Sequence, residues 1–178
     1  MTNLKEKRRL IHVYTGNGKG KTTAALGLAL RACGQGWNVL MIQFMKGKDG
    51  CGELNICKSI PNFELMRYGL PDWVRSQSPT DDDKKLAAEA FQKASDAILA
   101  GRYDMVILDE LNVAVDFGLV PLGDVVSLLN RKPDSVELVL TGRRAHPDLV
   151  GMADYVSEIR EVKHPFHESI QAREGVDY

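Results

Sequence analysis

Near its N-terminus the chain reads Thr15-Gly16-Asn17-Gly18-Lys19-Gly20-Lys21-Thr22-Thr23, a glycine-rich run with two lysines and two final threonines. It follows the apolar residues 10–14 and precedes the alanine- and leucine-rich segment 24–32, an order that predicts strand, turn and helix. Glycines allow positive φ angles and let anionic oxygens approach the N–H groups at the start of a helix. The run therefore predicts a nucleotide polyphosphate site, and we expect all nine residues to contact the nucleotide.

The run matches the phosphate-loop pattern GxxxxGK[ST] with one departure. Thr15 stands where the pattern has its first glycine, and Gly16 follows one residue late. We expect Lys21 to reach the outer phosphates and the Thr22 hydroxyl to bind Mg²⁺ (or Mn²⁺). The alternative is a glycine-rich turn without a ligand, but the lysine–threonine pair between a strand and a helix favours the phosphate site.

Composition and charge limit the partners, the cellular location and the cysteine chemistry that we expect for this protein. The 178 residues are enough for one α/β domain, and 23 Lys and Arg nearly balance 24 Asp and Glu, so we expect neither nucleic acid nor an anionic membrane as partner. No apolar run approaches the roughly 20 residues of a membrane span, and no signal-type segment is evident, so we expect a cytoplasmic protein. Cys33, Cys51 and Cys57 lack CxxC spacing, which favours free thiols over disulfides or a zinc site.

Strands and helices alternate along the rest of the chain. The apolar runs predict strands over 38–44, 63–66, 103–110, 136–144 and 154–162 and helices over 21–33, 80–101, 112–119 and 121–130, with a short helix from about residue 53. This order predicts a single domain over residues 1–178 with a three-layer α/β fold of the P-loop NTPase (RecA-like) type and a mostly parallel sheet of about six strands. We expect the charged residues 1–9 to form a mobile arm, with a short helix over the nucleotide as the alternative.

A second signal lies at the end of the predicted strand 103–110, where four apolar residues run into Asp109 and Glu110. Such a strand end normally lies beside the phosphate loop and holds Mg²⁺, although a buried strand can also end in two carboxylates by chance. We expect Thr22, Asp109 and Glu110 to hold the metal. Arg143, at the end of the predicted strand 136–144, can neutralise phosphate charge unless it is simply exposed.

Other polar and aromatic residues have less specific patterns. Gln43, Phe44 and Lys46 follow the predicted strand 38–44, at the sheet edge where α/β proteins bind ligands, although Lys46 alone could be a solvated lysine. Trp73, on the loop 67–74, could anchor that loop on the core or cover a flat apolar cofactor. The acidic residues 81–83 after Thr80 favour a helix cap over a metal site. His164 and His167 complete no recognisable metal pattern.

Several segments together closely resemble the ATP:corrinoid adenosyltransferase family, and the resemblance runs over nearly the whole chain. They are residues 15–23, Gln43-Phe44-Met45-Lys46-Gly47, Leu108-Asp109-Glu110-Leu111, Leu140-Thr141-Gly142-Arg143, Val162-Lys163-His164-Pro165-Phe166 and Gly175-Val176-Asp177-Tyr178. The resemblance implies transfer of the 5′-deoxyadenosyl group of ATP to the Co(I) centre of a reduced corrinoid, with triphosphate as the leaving group. The corrinoid would be cob(I)yrinic acid a,c-diamide, cobinamide or cobalamin, in adenosylcobalamin synthesis or salvage.

The resemblance also implies roles for particular residues. The catalytic residues, which would stabilise the departing triphosphate, are Lys21, Thr22, Glu110 and Arg143. The corrinoid-binding residues would be Gln43, Phe44, Lys46, Tyr68, Leu70 and Trp73. Trp73 matches the family's tryptophan, whereas Leu70 stands where relatives carry an aromatic residue. The family further implies a homodimer that receives electrons from a reduced flavoprotein.

Two other classes of enzyme share the phosphate-loop chemistry. In an ATPase switch, Glu110 would orient a water molecule, and partner binding would follow the loss of the γ-phosphate. A small-molecule kinase would transfer that phosphate instead. Both would cleave the γ-phosphate, whereas the resemblance predicts release of intact triphosphate.

Overall fold

The computed structural model of the protein describes residues 8–47, 50–72, 74 and 78–177. Within them six strands form one sheet, in which all neighbouring strands run parallel. In chain order the strands are β1 (Ile11–Thr15), β2 (Val39–Phe44), β3 (Phe63–Tyr68), β4 (Met105–Asp109), β5 (Glu137–Thr141) and β6 (Tyr155–Glu158). Their order across the sheet is β3-β2-β4-β5-β1-β6, so β4 lies between β2 and β5.

Helices cover both faces of this sheet. They are α1 (Lys21–Gly34), α2 (Gly52–Cys57), α3 (Asp81–Leu99), α4 (Leu111–Asp116), α5 (Leu122–Arg131) and α6 (Pro147–Met152), followed by a 3₁₀ turn at Pro165–Glu168. Met41 and Ile107 point to the face covered by α1, whereas Leu40 and Leu108 point to the face covered by α3, α4 and α5. The predicted three-layer P-loop fold is confirmed, and burial on both faces explains why β2 and β4 are continuous apolar runs.

The details of several elements differ from the prediction. The last strand ends at Glu158 instead of residue 162, because its partner β1 ends at Thr15. Ile159 still donates to the Thr15 carbonyl, and its own carbonyl accepts from Gly18 of the phosphate loop. Helix α6 was not predicted, since its six residues show too little periodicity. No helix among the described residues is long and apolar enough to cross a bilayer. The three cysteines, all of which lie in the described part, form no disulfide.

The predicted cap of the long helix is confirmed. Thr80 Oγ1 accepts a hydrogen bond from the Asp83 N–H at 3.1 Å, and the Asp83 carboxylate accepts one from the Thr80 N–H at 2.9 Å. This reciprocal pair satisfies backbone donors at the start of α3. Asp83 therefore has a structural role in the helix start.

The described part of the N-terminal segment contacts the rest of the protein through Arg8 and Arg9. Arg9 lies over the Trp37 ring at 3.9 Å and donates a 2.9 Å hydrogen bond to the Asp104 carboxylate. Arg8 forms longer ion pairs, of 3.8 and 3.9 Å, with Asp154 and Asp134. Residues 1–7 lie outside the described residues, so the mobile arm stays a prediction for them.

The glycines of the phosphate loop are needed partly for packing against the segment after β6. The Gly18 N–H donates to the Ile159 carbonyl at 2.7 Å, and a β-carbon on Gly18 would lie 2.7 Å from the Arg160 carbonyl oxygen. A β-carbon on Gly16 would lie 2.4 Å from the Ile159 carbonyl oxygen. Positive φ angles occur at Gly16 (93°) and Gly20 (120°) but not at Gly18. Gly18 is therefore required by close backbone approach alone.

Two glycine-to-alanine changes should have opposite effects on stability. Gly18→Ala should lower the free energy of unfolding by about 1–3 kcal/mol, because the added methyl group overlaps the Arg160 backbone. Gly27→Ala, in α1, meets no heavy atom within 4 Å and should raise it by roughly 0.5–1 kcal/mol through helix propensity. Urea unfolding followed by circular dichroism measures both. Equal effects of the two changes would contradict this packing argument.

Candidate active site

Within the described residues, four side-chain donors converge on the carboxylate of Asp109, the last residue of β4. Its Oδ1 accepts hydrogen bonds from the hydroxyls of Thr22 (2.9 Å) and Thr141 (2.6 Å). Its Oδ2 accepts bonds from the Gln43 amide (3.1 Å) and the Lys46 ammonium (2.6 Å). Asp109 has no exposed surface, and a buried carboxylate is stable only when its oxygens are paired in this way. The predicted proximity of the phosphate-loop helix and the acidic strand end is therefore present.

Glu110, next along the chain, has an unusual backbone and a perturbed side chain. Its φ angle of 65° is in the left-handed region, and its N–H donates to the Thr141 hydroxyl at 3.0 Å. Burial raises the pKa of the Glu110 carboxyl, and the negative charge of Asp109 raises it further, while Lys46, Lys21 and Arg143 act in the opposite direction. A cation placed here would therefore stabilise the ionised form of Glu110.

Thr141 forms hydrogen bonds with both acidic residues. No role was predicted for it from the sequence. Its hydroxyl donates to Asp109 and accepts from the Glu110 backbone, and its side chain is completely buried at the end of β5. The available signal was a hydroxyl residue at the end of a buried strand. That signal becomes specific only once β5 is known to lie beside β4.

Lys21 lies over its own loop. Its side chain is 6% exposed, and Nζ donates to the Gly18 carbonyl at 2.7 Å. Burial lowers the pKa of Lys21, whereas the charges of Glu110 and Asp109 raise it. The ammonium is thus close to the loop and within the field of both carboxylates, as a phosphate-binding lysine should be. Its contact with a nucleotide stays a prediction.

The residues expected to hold a metal offer suitable but incomplete ligands. Thr22 and Asp109 present a hydroxyl and a carboxylate 2.9 Å apart, and Glu110 follows directly. Hard oxygens of this kind suit Mg²⁺, which usually keeps several waters and takes further ligands from substrate phosphates. No group of three or more His, Cys, Asp or Glu suitable for a metal occurs in the described ranges. The donor set therefore fits a metal that arrives with a nucleotide.

The structure places three of the expected corrinoid residues elsewhere. Phe44 is fully buried in the core beside α3. Gln43, also fully buried, donates to Asp109 and to Glu53 (3.3 Å), and Lys46 binds Asp109. Gln43 and Phe44 are covered on both faces because β2 lies inside the sheet, between β3 and β4. Corrinoid contact by these three residues stays a prediction.

The turn after β2 packs on the loop after β3. A β-carbon on Gly47 would lie 2.2 Å from the Gly69 carbonyl oxygen, and one on Gly69 would lie 2.5 Å from the Lys46 nitrogen. The Lys46 N–H also donates to the Tyr68 carbonyl at 3.2 Å. Tyr68 and Leu70, both half-buried, therefore lie beside the turn that carries Lys46. Trp73 lies outside the described residues, so its role stays a prediction.

The C-terminal segment reaches the phosphate loop. Lys19 Nζ donates to the Val176 carbonyl and pairs with Asp177, both at 2.8 Å. Hydrogen bonds from Lys19 and from the backbone and side chain of Arg173 together lower the pKa of Asp177 to about 2. Lys19 is thus occupied by the tail, and its predicted nucleotide contact would require this pair to open. His167 pairs with Glu161 at 2.8 Å on the surface.

The remaining predicted nucleotide residues surround the loop. Thr15 ends β1 and its hydroxyl accepts a 3.2 Å hydrogen bond from the Ala145 N–H. Asn17 and Thr23 are exposed. Arg143 is exposed and follows Gly142, whose φ angle is 129°. Its positive charge acts on both Glu110 and Lys21, which is consistent with a position facing the phosphates.

Removal of the Thr141 hydroxyl should loosen both acidic residues. Thr141→Ala leaves the buried Asp109 carboxylate and the Glu110 N–H each without one partner, so the free energy of unfolding should fall by about 1–3 kcal/mol. Binding of Mn²⁺ with ATP should weaken as well. Thr141→Ser keeps the hydroxyl and is the matched control, with both properties near wild type. Urea unfolding and Mn²⁺ electron paramagnetic resonance measure the effects; equal behaviour of the two variants would contradict the role given to Thr141.

Comparison with known proteins agrees with this geometry. Residues 7–178 match the sequence model of a family described as ATP:corrinoid adenosyltransferase BtuR/CobO/CobP. The chain is 41% identical to the corrinoid adenosyltransferase CobA of Salmonella typhimurium over 174 residues, covering 97% of this chain and 87% of that protein. It is 40% identical to a corrinoid adenosyltransferase of Escherichia coli with the same coverage. A corrinoid adenosyltransferase of Pseudomonas aeruginosa is 35% identical, with 98% of this chain and 86% of that protein covered. The chain therefore belongs to the ATP:corrinoid adenosyltransferase family.

Proposed function

We propose that this protein transfers the 5′-deoxyadenosyl group of ATP to the Co(I) centre of a reduced corrinoid and releases triphosphate. The names of the family and of its relatives support ATP and a corrinoid as substrates. The structural observation that supports the proposal is the position of Lys21 and Thr22 beside the Asp109–Glu110 pair. This arrangement places an ammonium group and the ligands for a metal ion where a bound triphosphate would need positive charge. The ATPase and kinase alternatives are not favoured by the family.

The bond changes define what the site has to do. Cobalt attacks the ribose 5′-carbon, a cobalt–carbon bond forms and the bond between C5′ and the α-phosphate oxygen breaks. The electron pair of that bond leaves with triphosphate, and cobalt changes formally from Co(I) to Co(III). Co(I) is already a strong nucleophile, so no general base is needed. Stabilisation of the leaving group and exclusion of water remain for the protein.

The residues of the phosphate loop and its neighbours divide these tasks. Lys21 and the loop N–H groups bind the phosphate oxygens, and Arg143 adds charge at the open side of the site. A Mg²⁺ (or Mn²⁺) ion held by Thr22, Asp109 and Glu110 would supply further positive charge to the triphosphate. Glu110 acts as a ligand in this scheme and takes no proton from a nucleophile.

Further features are proposals that rest on the family resemblance. The corrinoid would lie near Tyr68, Leu70 and Trp73, at the loop that packs on the turn after β2. A homodimer, a reduced flavoprotein as electron donor and a cytoplasmic location complete the proposal. The corrinoid would be cob(I)yrinic acid a,c-diamide, cobinamide or cobalamin, and the three substrates can be compared in the same assay.

Anaerobic incubation with ATP, Mg²⁺ and a chemically reduced Co(I) corrinoid tests the proposed function. The expected result is a light-sensitive alkylcobalt product, followed by its absorption spectrum, with one triphosphate formed for each cobalt alkylated. Release of orthophosphate without a cobalt–carbon bond would overturn the proposal and would favour an ATPase.

Loss of the phosphate-loop lysine should affect this reaction strongly. Lys21→Ala removes the ammonium next to the triphosphate, so the rate of adenosyl transfer should fall by roughly 10²–10³-fold, as when a transition-state donor is removed. Lys58→Ala, at an exposed position that ends α2, is the matched control and should leave the rate unchanged. Single-turnover kinetics at saturating ATP separate this effect from weaker binding. Equal rates for Lys21→Ala and wild type would contradict the assignment.

A further inference from the structure

We propose that Lys46 belongs to the phosphate and metal site: its ammonium is the counter-cation of the acidic pair in the ligand-free protein and moves to the triphosphate when metal and ATP bind. This inference rests on the proposed function in taking a triphosphate as the ligand. It gives Lys46 a place on the nucleotide side of the site, in contrast to the corrinoid contact expected from the sequence.

The contacts of the ammonium carry the first step. Lys46 Nζ lies 2.6 Å from Asp109 Oδ2 and 3.5 Å from Thr22 Oγ1. Thr22 is the hydroxyl that the phosphate-loop pattern assigns to the metal, and Asp109 is the strand-end carboxylate expected to hold the same ion. An ion that joined Thr22 to Asp109 would therefore meet the ammonium at contact distance. Two cations repel each other strongly in a buried site, so the ammonium has to withdraw from Asp109.

The charges around Lys46 explain why a cation is needed there in the absence of ligand. Asp109 is completely buried and Glu110 is half-buried beside it. Glu53 of α2 adds a third carboxylate, which Gln43 connects to Asp109 through bonds of 3.3 and 3.1 Å. Among the described residues, Lys46 is the lysine that is hydrogen-bonded directly to this group. The other side-chain donors to Asp109 in the described part of the chain, from Thr22, Gln43 and Thr141, are neutral.

The backbone of Lys46 is fixed while its side chain has room to move. The N–H group is held by the Tyr68 carbonyl, and the flanking Met45 has a φ angle of 56°. Gly47 lies against the Gly69 backbone with no space for a β-carbon. The Lys46 side chain, in contrast, is 25% exposed. Its flexible stem and three N–H donors allow it to change partners without a change in the loop.

Phosphate oxygens are the acceptors that would receive the ammonium. They arrive on the side of the site where Lys21 and Thr22 begin α1, and Thr22 is already within 3.5 Å of Lys46 Nζ. A metal neutralises Asp109 and Glu110 at the same moment as the triphosphate adds new negative charge. The exchange therefore keeps both Asp109 and the Lys46 ammonium paired with an opposite charge before and after binding.

Metal binding with and without nucleotide tests the exchange. Mn²⁺ binding to the full-length protein is measured by electron paramagnetic resonance for wild type, Lys46→Met, Lys46→Arg and the control Lys58→Met. Without ATP, Lys46→Met should bind Mn²⁺ at least about ten-fold more tightly than wild type, because the competing cation is gone. With ATP present, the same variant should bind the Mn²⁺–ATP complex at least about ten-fold more weakly, because the triphosphate has lost a partner.

The control variants distinguish the loss of the Lys46 charge from a general disruption of the folded structure. Lys46→Arg keeps the charge and should stay near wild type in the absence of ATP, and Lys58→Met should match wild type in both conditions. Circular dichroism establishes that each variant is folded. If Lys46→Met does not bind Mn²⁺ more tightly without ATP, the counter-cation role is overturned. If its affinity for Mn²⁺–ATP is unchanged, the move to the triphosphate is overturned. No corrinoid is present, so failure of adenosyl transfer itself would leave both results unaffected.

Discussion

A carboxylate that is completely removed from water needs hydrogen-bond donors, and the structure of this site follows from how Asp109 obtains them. The donors come from the first turn of α1, the end of β2, the turn after β2 and the end of β5. Each of these elements is thereby tied to β4. Loss of any one donor leaves the buried Asp109 carboxylate with too few hydrogen bonds. The side chains that stabilise the fold at this point are therefore the same ones that form the candidate active site.

The other side of the phosphate loop is held by backbone contact with the segment that follows β6. Ile159 donates to the Thr15 carbonyl and accepts from the Gly18 N–H, and glycine at 16 and 18 is what allows this approach. Lys19 extends the contact to Asp177. The loop is thus held between the acidic strand end on one side and the C-terminal segment on the other. Contacts on both sides explain how a glycine-rich loop can keep a defined conformation.

The sequence was informative where a local pattern determines a local structure. The phosphate-loop pattern, the apolar strands and the pair Asp109–Glu110 predicted a P-loop fold with Thr22 near the acidic residues, because parallel strands end at a common edge. The directions of side chains at that edge were not predictable in the same way. Phe44 and Lys46 are two residues apart, yet one lies in the core and the other at Asp109, since the left-handed Met45 redirects the chain between them. The bridging role of Thr141 depends on strand order, which no local pattern contains.

Adenosyl transfer requires the whole triphosphate to leave from C5′, so the identity of the bond that breaks is the most direct test of the proposed reaction. ATP carrying ¹⁸O in the bridge between C5′ and the α-phosphorus is turned over with a Co(I) corrinoid, and the triphosphate is analysed by mass spectrometry. Attack of cobalt on the 5′-carbon predicts that the label is retained in the triphosphate. Label that remains with the nucleoside would show cleavage at phosphorus and would contradict the account.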